Sequence, residues 1–360
     1  MNRRTFMTRG TGAMLGLAGG STIWHALAQE SNPSQGLLNQ RDRDRIQESL
    51  RWLSQQQSPD GSFGTGAYAG NVAVASLAGL AFMAGGHQPG RGQFGEHVSR
   101  TVRYILSSEM REGQPHPGFI STRRGGGHGP MYGHGFATLF LAEVYGMVND
   151  PALRAELRAS LGRAIQLIIR SQNAEGGWRY QPGSRDADLS VTICQIMALR
   201  AARNAGIAVP ADTARKCTEY VKKCQDPNSG GFKYQTGHGP PGFARTAAGV
   251  VALYSAGIYE GEQVEKGIRF LHSSRPGQGG GIFNENQIHY FYGHYYAVQA
   301  MWIKGGQDWR TWFPLIKDEL FASRAQNGSW SMSLMCPHYC TAMALIILQV
   351  PYNYLPILQR

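Results

Sequence analysis

Asp186 and Asp188, two apart in Asp186-Ala-Asp188, stand out in a chain that is short of acids. Carboxylates in this position exchange protons with a substrate when their surroundings tune their affinity for the proton. His134 or a tyrosine is the natural partner for such an acid. The run His289-Tyr-Phe-Tyr-Gly-His-Tyr-Tyr296 carries more hydroxyls and imidazoles than a dry core accepts. Tyrosine faces attract cations, stack on sugar rings or line an apolar tunnel. The candidate catalytic set is therefore Asp188, Asp186 and His134. The candidate binding set is Arg245, Tyr132, Tyr290, Tyr292, His294, Tyr295, His338 and Tyr339.

These residues are spread over most of the chain, so something periodic must gather them. Six glycine turns close on an aromatic. They read Ser58-Pro-Asp-Gly-Ser-Phe63, Gln114-Pro-His-Pro-Gly-Phe119, Gln172-Asn-Ala-Glu-Gly-Gly-Trp178, Asp226-Pro-Asn-Ser-Gly-Gly-Phe232, Gln278-Gly-Gly-Gly-Ile-Phe283 and Gln326-Asn-Gly-Ser-Trp330. The period is roughly fifty residues, within the range of repeat architectures. Before the third turn, Leu161, Ala164, Ile165, Ile168 and Ile169 follow helical spacing and predict an amphipathic helix. Arg51, Arg103, Arg163, Lys222 and Arg269 mark the wet faces of the helices in this position.

After each turn the sequence is apolar on nearly every side, as in Asn71-Val-Ala-Val-Ala-Ser-Leu-Ala-Gly-Leu80 and Thr341-Ala-Met-Ala-Leu-Ile-Ile-Leu348. A helix of that kind must be covered all round. Each repeat thus pairs an amphipathic outer helix with a packed inner one. Glycine ends the first helix and the aromatic plugs the joint.

Gln172 to Trp178 and Gln326 to Trp330 resemble the glutamine–tryptophan repeats of squalene and hopene cyclases. The paired-helix layout is also similar to the beta subunits of protein prenyltransferases. The resemblance implies an all-α fold, an α/α toroid of six helix-pair repeats, from about residue 39 to the C-terminus at residue 360. It also implies that each inner helix begins at the central cavity, which would place all the candidate residues around one mouth.

The motifs that these families need are altered. The resemblance puts Asp188, Ser190 and Arg245 where a prenyltransferase holds zinc through Asp, Cys and His, and serine and arginine are poor or repelling partners for zinc. No metal or other cofactor is expected. A class II cyclase protonates an alkene from Asp-x-Asp-Asp. In one register Ser190 and Val191 replace the last two acids; in another Asp188 is restored and the final acid is missing. Asp188 has a second reading, as the N-cap of the inner helix that follows it.

Asn2-Arg3-Arg4-Thr5-Phe6-Met7, a short glycine-rich apolar stretch and Ala26-Leu27-Ala28 read as a twin-arginine signal peptide over residues 1–28. A linker over 29–38 and one toroid domain over 39–360 follow, and the expected location is periplasmic or otherwise extracytoplasmic. The net charge of +11 falls to +8 once Arg3, Arg4 and Arg9 leave with the leader. That excess is compatible with peripheral contact with the membrane or cell envelope. Nucleic acid is not expected, since no basic run interleaves with aromatics and Arg123-Arg-Gly-Gly-Gly-His128 reads as a loop.

The five cysteines form no C-x-x-C pair. Cys217 and Cys224 lie two turns apart. Cys336-Pro-His-Tyr-Cys340 has soft-metal residue types without a common zinc spacing, and buried apolar thiols are the expectation.

Three functions are compatible with these residues. The first is a terpenoid cyclase-like or prenyltransferase-like protein that acts on or binds an isoprenoid or other apolar small molecule. The second is a non-catalytic toroid that binds lipid, glycan or protein outside the cytoplasmic membrane. The third is a polysaccharide-degrading toroid, which needs a carboxylate pair drawn from Asp186, Asp188 and Glu143.

Overall fold

The computed structural model describes residues 36–122, 129–273, 275 and 289–359. The expected signal peptide, residues 29–35 of the expected linker, residues 123–128 expected as a loop and the fifth turn expected at 278–283 lie outside the described residues. Twelve α-helices occur in the described part, as six successive pairs. They are α1 (Gln40–Gln55) with α2 (Val72–Ala84), α3 (Gly95–Ser107) with α4 (Pro130–Tyr145), and α5 (Pro151–Ser171) with α6 (Leu189–Asn204). The second half holds α7 (Ala211–Cys224) with α8 (Phe243–Ser255), α9 (Glu262–His272) with α10 (Tyr290–Lys304), and α11 (Gly306–Ser323) with α12 (Pro337–Gln349).

The even-numbered helices form the inner ring. Each packs on the next, and α12 returns to pack on α2, so the ring is closed. Every odd-numbered helix lies against its inner neighbours from outside. This is the α/α toroid that the repeats predict. The apolar sequences explain the layering: α2, α4, α10 and α12 are buried on almost every face, whereas α3, α7 and α9 bury one stripe. In α5 the buried stripe is Leu157, Leu161, Ala164, Ile165, Leu167 and Ile168; Ile169 is only half-buried. Arg51, Arg103 and Arg269 are exposed as expected. Arg163 is drawn in, because its Nη2 donates to Glu109 Oε2 at 2.9 Å.

The turns lock neighbouring repeats together. Gln172 Nε2 donates to Gly176 O within its own turn at 2.8 Å and to Thr213 O of the next outer helix at 2.9 Å. Gln57, two repeats earlier, and Gln225, one repeat later, make the same double bond. Gly176 has φ +96°, and a Cβ there would stand 2.3 Å from Lys216 O, so only glycine lets the turn reach the next helix. The closing aromatics Phe63, Phe119, Trp178, Phe232 and Trp330 are all buried. Trp178 and Trp330 each donate Nε1 to a carbonyl of the preceding outer helix at 2.7 Å. Burying one such ring stabilises the joint by roughly 1.5–3 kcal/mol.

The two ends of the ring differ. At the carboxyl ends of the inner helices the final segment, residues 350–359, lies across the barrel. Ile357 N donates to Glu143 Oε2 at 3.2 Å, Trp302 Nε1 to Leu358 O at 3.1 Å, and Arg200 Nη2 to Gln359 O at 2.9 Å. At the amino ends, half-exposed tyrosines form a mouth.

Candidate functional site at the mouth of the ring

The mouth is built where the chain leaves a turn and enters an inner helix. Asp188 N donates to Trp178 O at 3.0 Å, which ties the start of α6 to its turn. Asp188 is fully buried and caps α6: its Oδ1 accepts from Val191 N at 2.9 Å and from Ser190 Oγ at 2.6 Å. Its Oδ2 lies 3.5 Å from Arg179 Nη1. Burial pushes its pKa up, while Ser190, Val191 and Arg179 pull it back down. All three favour the carboxylate, against the burial that raises its pKa on balance. The capping role thus has its geometry in full.

Outward from Asp188 runs a polar chain. Tyr132 of α4 donates its hydroxyl to Ser190 Oγ at 2.7 Å. Arg179 is held between the rings of Tyr180 and Tyr234, 4.6 and 5.4 Å from their centroids, and the two phenols are hydrogen-bonded to each other. Asp186 is exposed and pairs with Arg179 Nε at 3.3 Å. Both acids of the Asp186-Ala-Asp188 pair therefore converge on one guanidinium. Arg179, Tyr180, Tyr234, Tyr132 and Ser190 are half-buried, so this chain faces the mouth.

Below it the centre is occupied. Helix α10 lies opposite α4 in the ring, yet their side chains meet: Tyr132 and Tyr292 have ring centroids 6.4 Å apart, and Phe136 and Tyr295 6.1 Å. Tyr292 also donates to Ser190 O at 2.7 Å, and Tyr296 lies 3.4 Å from Cys194 Sγ of α6. Burial raises the pKa of Tyr132, Tyr292, Tyr296 and Tyr339, so these phenols stay protonated. Tyr339 stands half-buried near the start of α12.

Of the candidate residues, the ring gathers Asp188, Asp186, Tyr132, Tyr292 and Tyr295, while Tyr339, at the start of α12, has no hydrogen bond or ring contact with them among the described residues. It does not gather the rest. His134 is fully buried, with Nδ1 accepting from Ile120 N at 3.1 Å and Nε2 placed 3.2 Å from Ala164 O. It brackets a turn against a helix, and burial drives its pKa down to about 4. Thr192, Thr246 and Thr341 do the same work in other repeats, accepting from the amides of Trp178, Phe232 and Trp330. His294 of α10 is buried among Phe243, Tyr290 and Trp312. His338 accepts from Gly64 N at 2.8 Å and so helps to close the ring. Tyr290 donates to Glu319 of α11 at 2.8 Å, away from the mouth. Arg245 folds back over Gly242, where a Cβ would meet its Nη2 at 2.5 Å.

A family profile for the prenyltransferase alpha-alpha toroid domain matches residues 31–214, 136–289 and 205–314. The chain belongs to this family. Its fold is similar to that of type II terpene cyclase MstE from Scytonema, at TM-score 0.58 and 14% identity over 88% of this chain and 98% of that one. It is also similar to the GH76 alpha-mannanase BT2949 from Bacteroides thetaiotaomicron (0.57; 10% identity; 87% and 96%) and to a D-mannose isomerase (0.58; 12%; 88% and 99%). At these identities the likeness is one of fold. No curated protein matches the sequence.

Within this toroid family member, Ser190 links Tyr132 to Asp188. Among the described residues, no three His, Cys, Asp or Glu side chains converge as a metal site. Nor is any described helix long and apolar enough to cross a membrane. Glu143 sits near the far end of α4, about 16 Å from Tyr132 along the helix. That exceeds the separation of a glycosidase acid pair, roughly 10 Å at most. Arg179, Tyr180 and Tyr234 escaped the sequence reading. Their signal is the echo Trp178-Arg-Tyr180 and Phe232-Lys-Tyr234, a tyrosine two residues beyond the closing aromatic in consecutive repeats.

Proposed function

We propose that this toroid binds rather than cyclises. Its ligand is an isoprenoid-type molecule with an apolar body and a polar head, held at the tyrosine mouth with the head at Arg179, outside the cytoplasmic membrane. The observation that carries this reading is the filled centre: α10 tyrosines meet α4 and α6 where a cyclase would need an open chamber. Asp188, committed to the start of α6, supports the same side of the choice. The isoprenoid class draws on kinship of fold, since MstE has been solved with geranylgeranyl dihydroxybenzoate as substrate. Arg179, half-buried between two aromatic faces and paired with Asp186 and Asp188, offers its remaining N–H groups to a polar head.

The test is equilibrium binding of geranylgeraniol, geranylgeranyl diphosphate and a mannan oligosaccharide, read by intrinsic fluorescence. Saturable binding of the prenyl compounds that weakens at least about tenfold in Arg179→Gln is expected, as for loss of a charged hydrogen-bonding partner. Binding of the oligosaccharide alone would replace the isoprenoid reading with the glycan one, and binding of none would remove the site.

A further inference from the structure

The acids at the mouth do more than hold Arg179. Its Nε lies 3.3 Å from Asp186 Oδ2 and its Nη1 3.5 Å from Asp188 Oδ2. Nη1 also donates to the Tyr234 hydroxyl at 3.4 Å. Nη2 has no hydrogen-bond partner among the described residues, so its N–H groups are the ones left for a ligand. They call for an oxygen acceptor. The local charge is a separate matter: one guanidinium stands between two carboxylates, and the trio is negative on balance. A head group arriving at Nη2 meets good donors in a field that opposes added negative charge.

The two acids differ in what they are free to do. Asp188 is buried and committed to the start of α6. Asp186 is exposed, yet its place is fixed. Gln235 Nε2 donates to Ala187 O at 2.9 Å and lies 3.4 Å from Asp186 Oδ2, and Leu189 N donates to Tyr234 O at 2.9 Å. The loop before α8 is thereby zipped to the segment that carries Asp186. An exposed ion pair of this kind contributes little to stability, and Arg179 is already held by two rings and Asp188. The second carboxylate is therefore not needed to place the guanidinium. What it changes is the charge that a ligand meets. Of the neighbouring cations, Lys233 pairs with Asp226 at 3.5 Å, and Arg185 is exposed to water that screens it.

We infer that Asp186 is a specificity-determining residue of the mouth, selecting an uncharged head with an oxygen acceptor, such as an alcohol, over a phosphorylated one. The inference rests on the binding reading above and adds the charge of the head to it. A hydroxyl accepts from Nη2 without bringing charge, whereas a diphosphate carries further negative charge to Asp186 and Asp188. Selection then comes from a repulsion set against the wrong ligand as much as from contacts to the right one.

The experiment is equilibrium binding of geranylgeraniol and geranylgeranyl diphosphate to wild type, Asp186→Asn and Glu156→Gln, read by intrinsic fluorescence at low and high salt. Wild type is expected to bind the alcohol at least about tenfold more tightly than the diphosphate. Asp186→Asn keeps the side chain's size and its acceptor for Gln235, and should move the ratio of the two affinities toward the diphosphate by about tenfold. Glu156→Gln removes the same charge from the exposed face of α5 and should leave the ratio at the wild-type value. Added salt should move the ratio toward the diphosphate in wild type, and less so in Asp186→Asn. A preference for the diphosphate in wild type, or an unchanged ratio in Asp186→Asn, would overturn selection by Asp186 and leave the binding site standing. Binding of neither compound to any of the three proteins would remove the site and the selection with it.

Discussion

The two ends of the ring are made by the same six inner helices and have opposite characters. At the carboxyl ends a ten-residue tail supplies backbone partners to Glu143, Arg200 and Trp302, and inserts the buried side chains of Leu355, Ile357 and Leu358. At the amino ends no such cover is present among the described residues, and tyrosines with an arginine stand half-exposed. The difference lies in what can satisfy a helix end. The last carbonyls of a helix need donors, whereas its first amides are capped from within, as Asp188 and Asn71 cap α6 and α2. One end is thus sealed by the chain itself, and at the other the described residues present half-exposed tyrosines and an arginine.

Removing the tail should break this contrast most severely. A chain ending at residue 349 would expose several apolar side chains, each worth roughly 1.5–3 kcal/mol. A loss on the order of 5 kcal/mol or more is expected by chemical denaturation, a large part of typical stability. A truncated protein within 1 kcal/mol of wild type would show that the tail does not seal the barrel.

Glu143 gives a finer probe of the sealed end. Burial raises its pKa from 4.5 to about 7, opposed by Ile357 N–H and Arg200. The folded protein therefore holds this proton more tightly than the unfolded chain does. The associated stability is complete below about pH 4.5 and is lost as pH rises through 7, an effect of order 3 kcal/mol. Glu143→Gln keeps the acceptor for Ile357 and lacks the titration. Its stability relative to wild type should rise over that pH interval, and parallel curves would refute the assignment.

At the mouth, Tyr132→Phe removes one hydrogen bond to Ser190 from a half-exposed phenol. The expected cost is about 1 kcal/mol, without change in the far-UV spectrum. A cost as large as that of tail removal would mean that the mouth, too, is a structural seal.

The fold was legible because its signal is local and repeated: a turn, an aromatic, and a change from one-sided to all-round apolarity. The histidines were harder to read. His134 performs the task of Thr192 and Thr246, and two residue types so different in acid–base chemistry do not look interchangeable until the bonded amides are known. Arg179 was hidden by its position just after Trp178, where attention stops at the ring that closes the turn. The tail was illegible for a different reason. Residues 350–359 have no periodicity, and their partners lie as much as 214 positions away.

The most direct measurement is product analysis after incubating wild type and Asp188→Asn with squalene and geranylgeranyl diphosphate. A toroid with an occupied centre and a capping aspartate yields no cyclised or transferred product from either protein. A cyclic product formed by wild type and lost in Asp188→Asn, with the variant still folded, would contradict it.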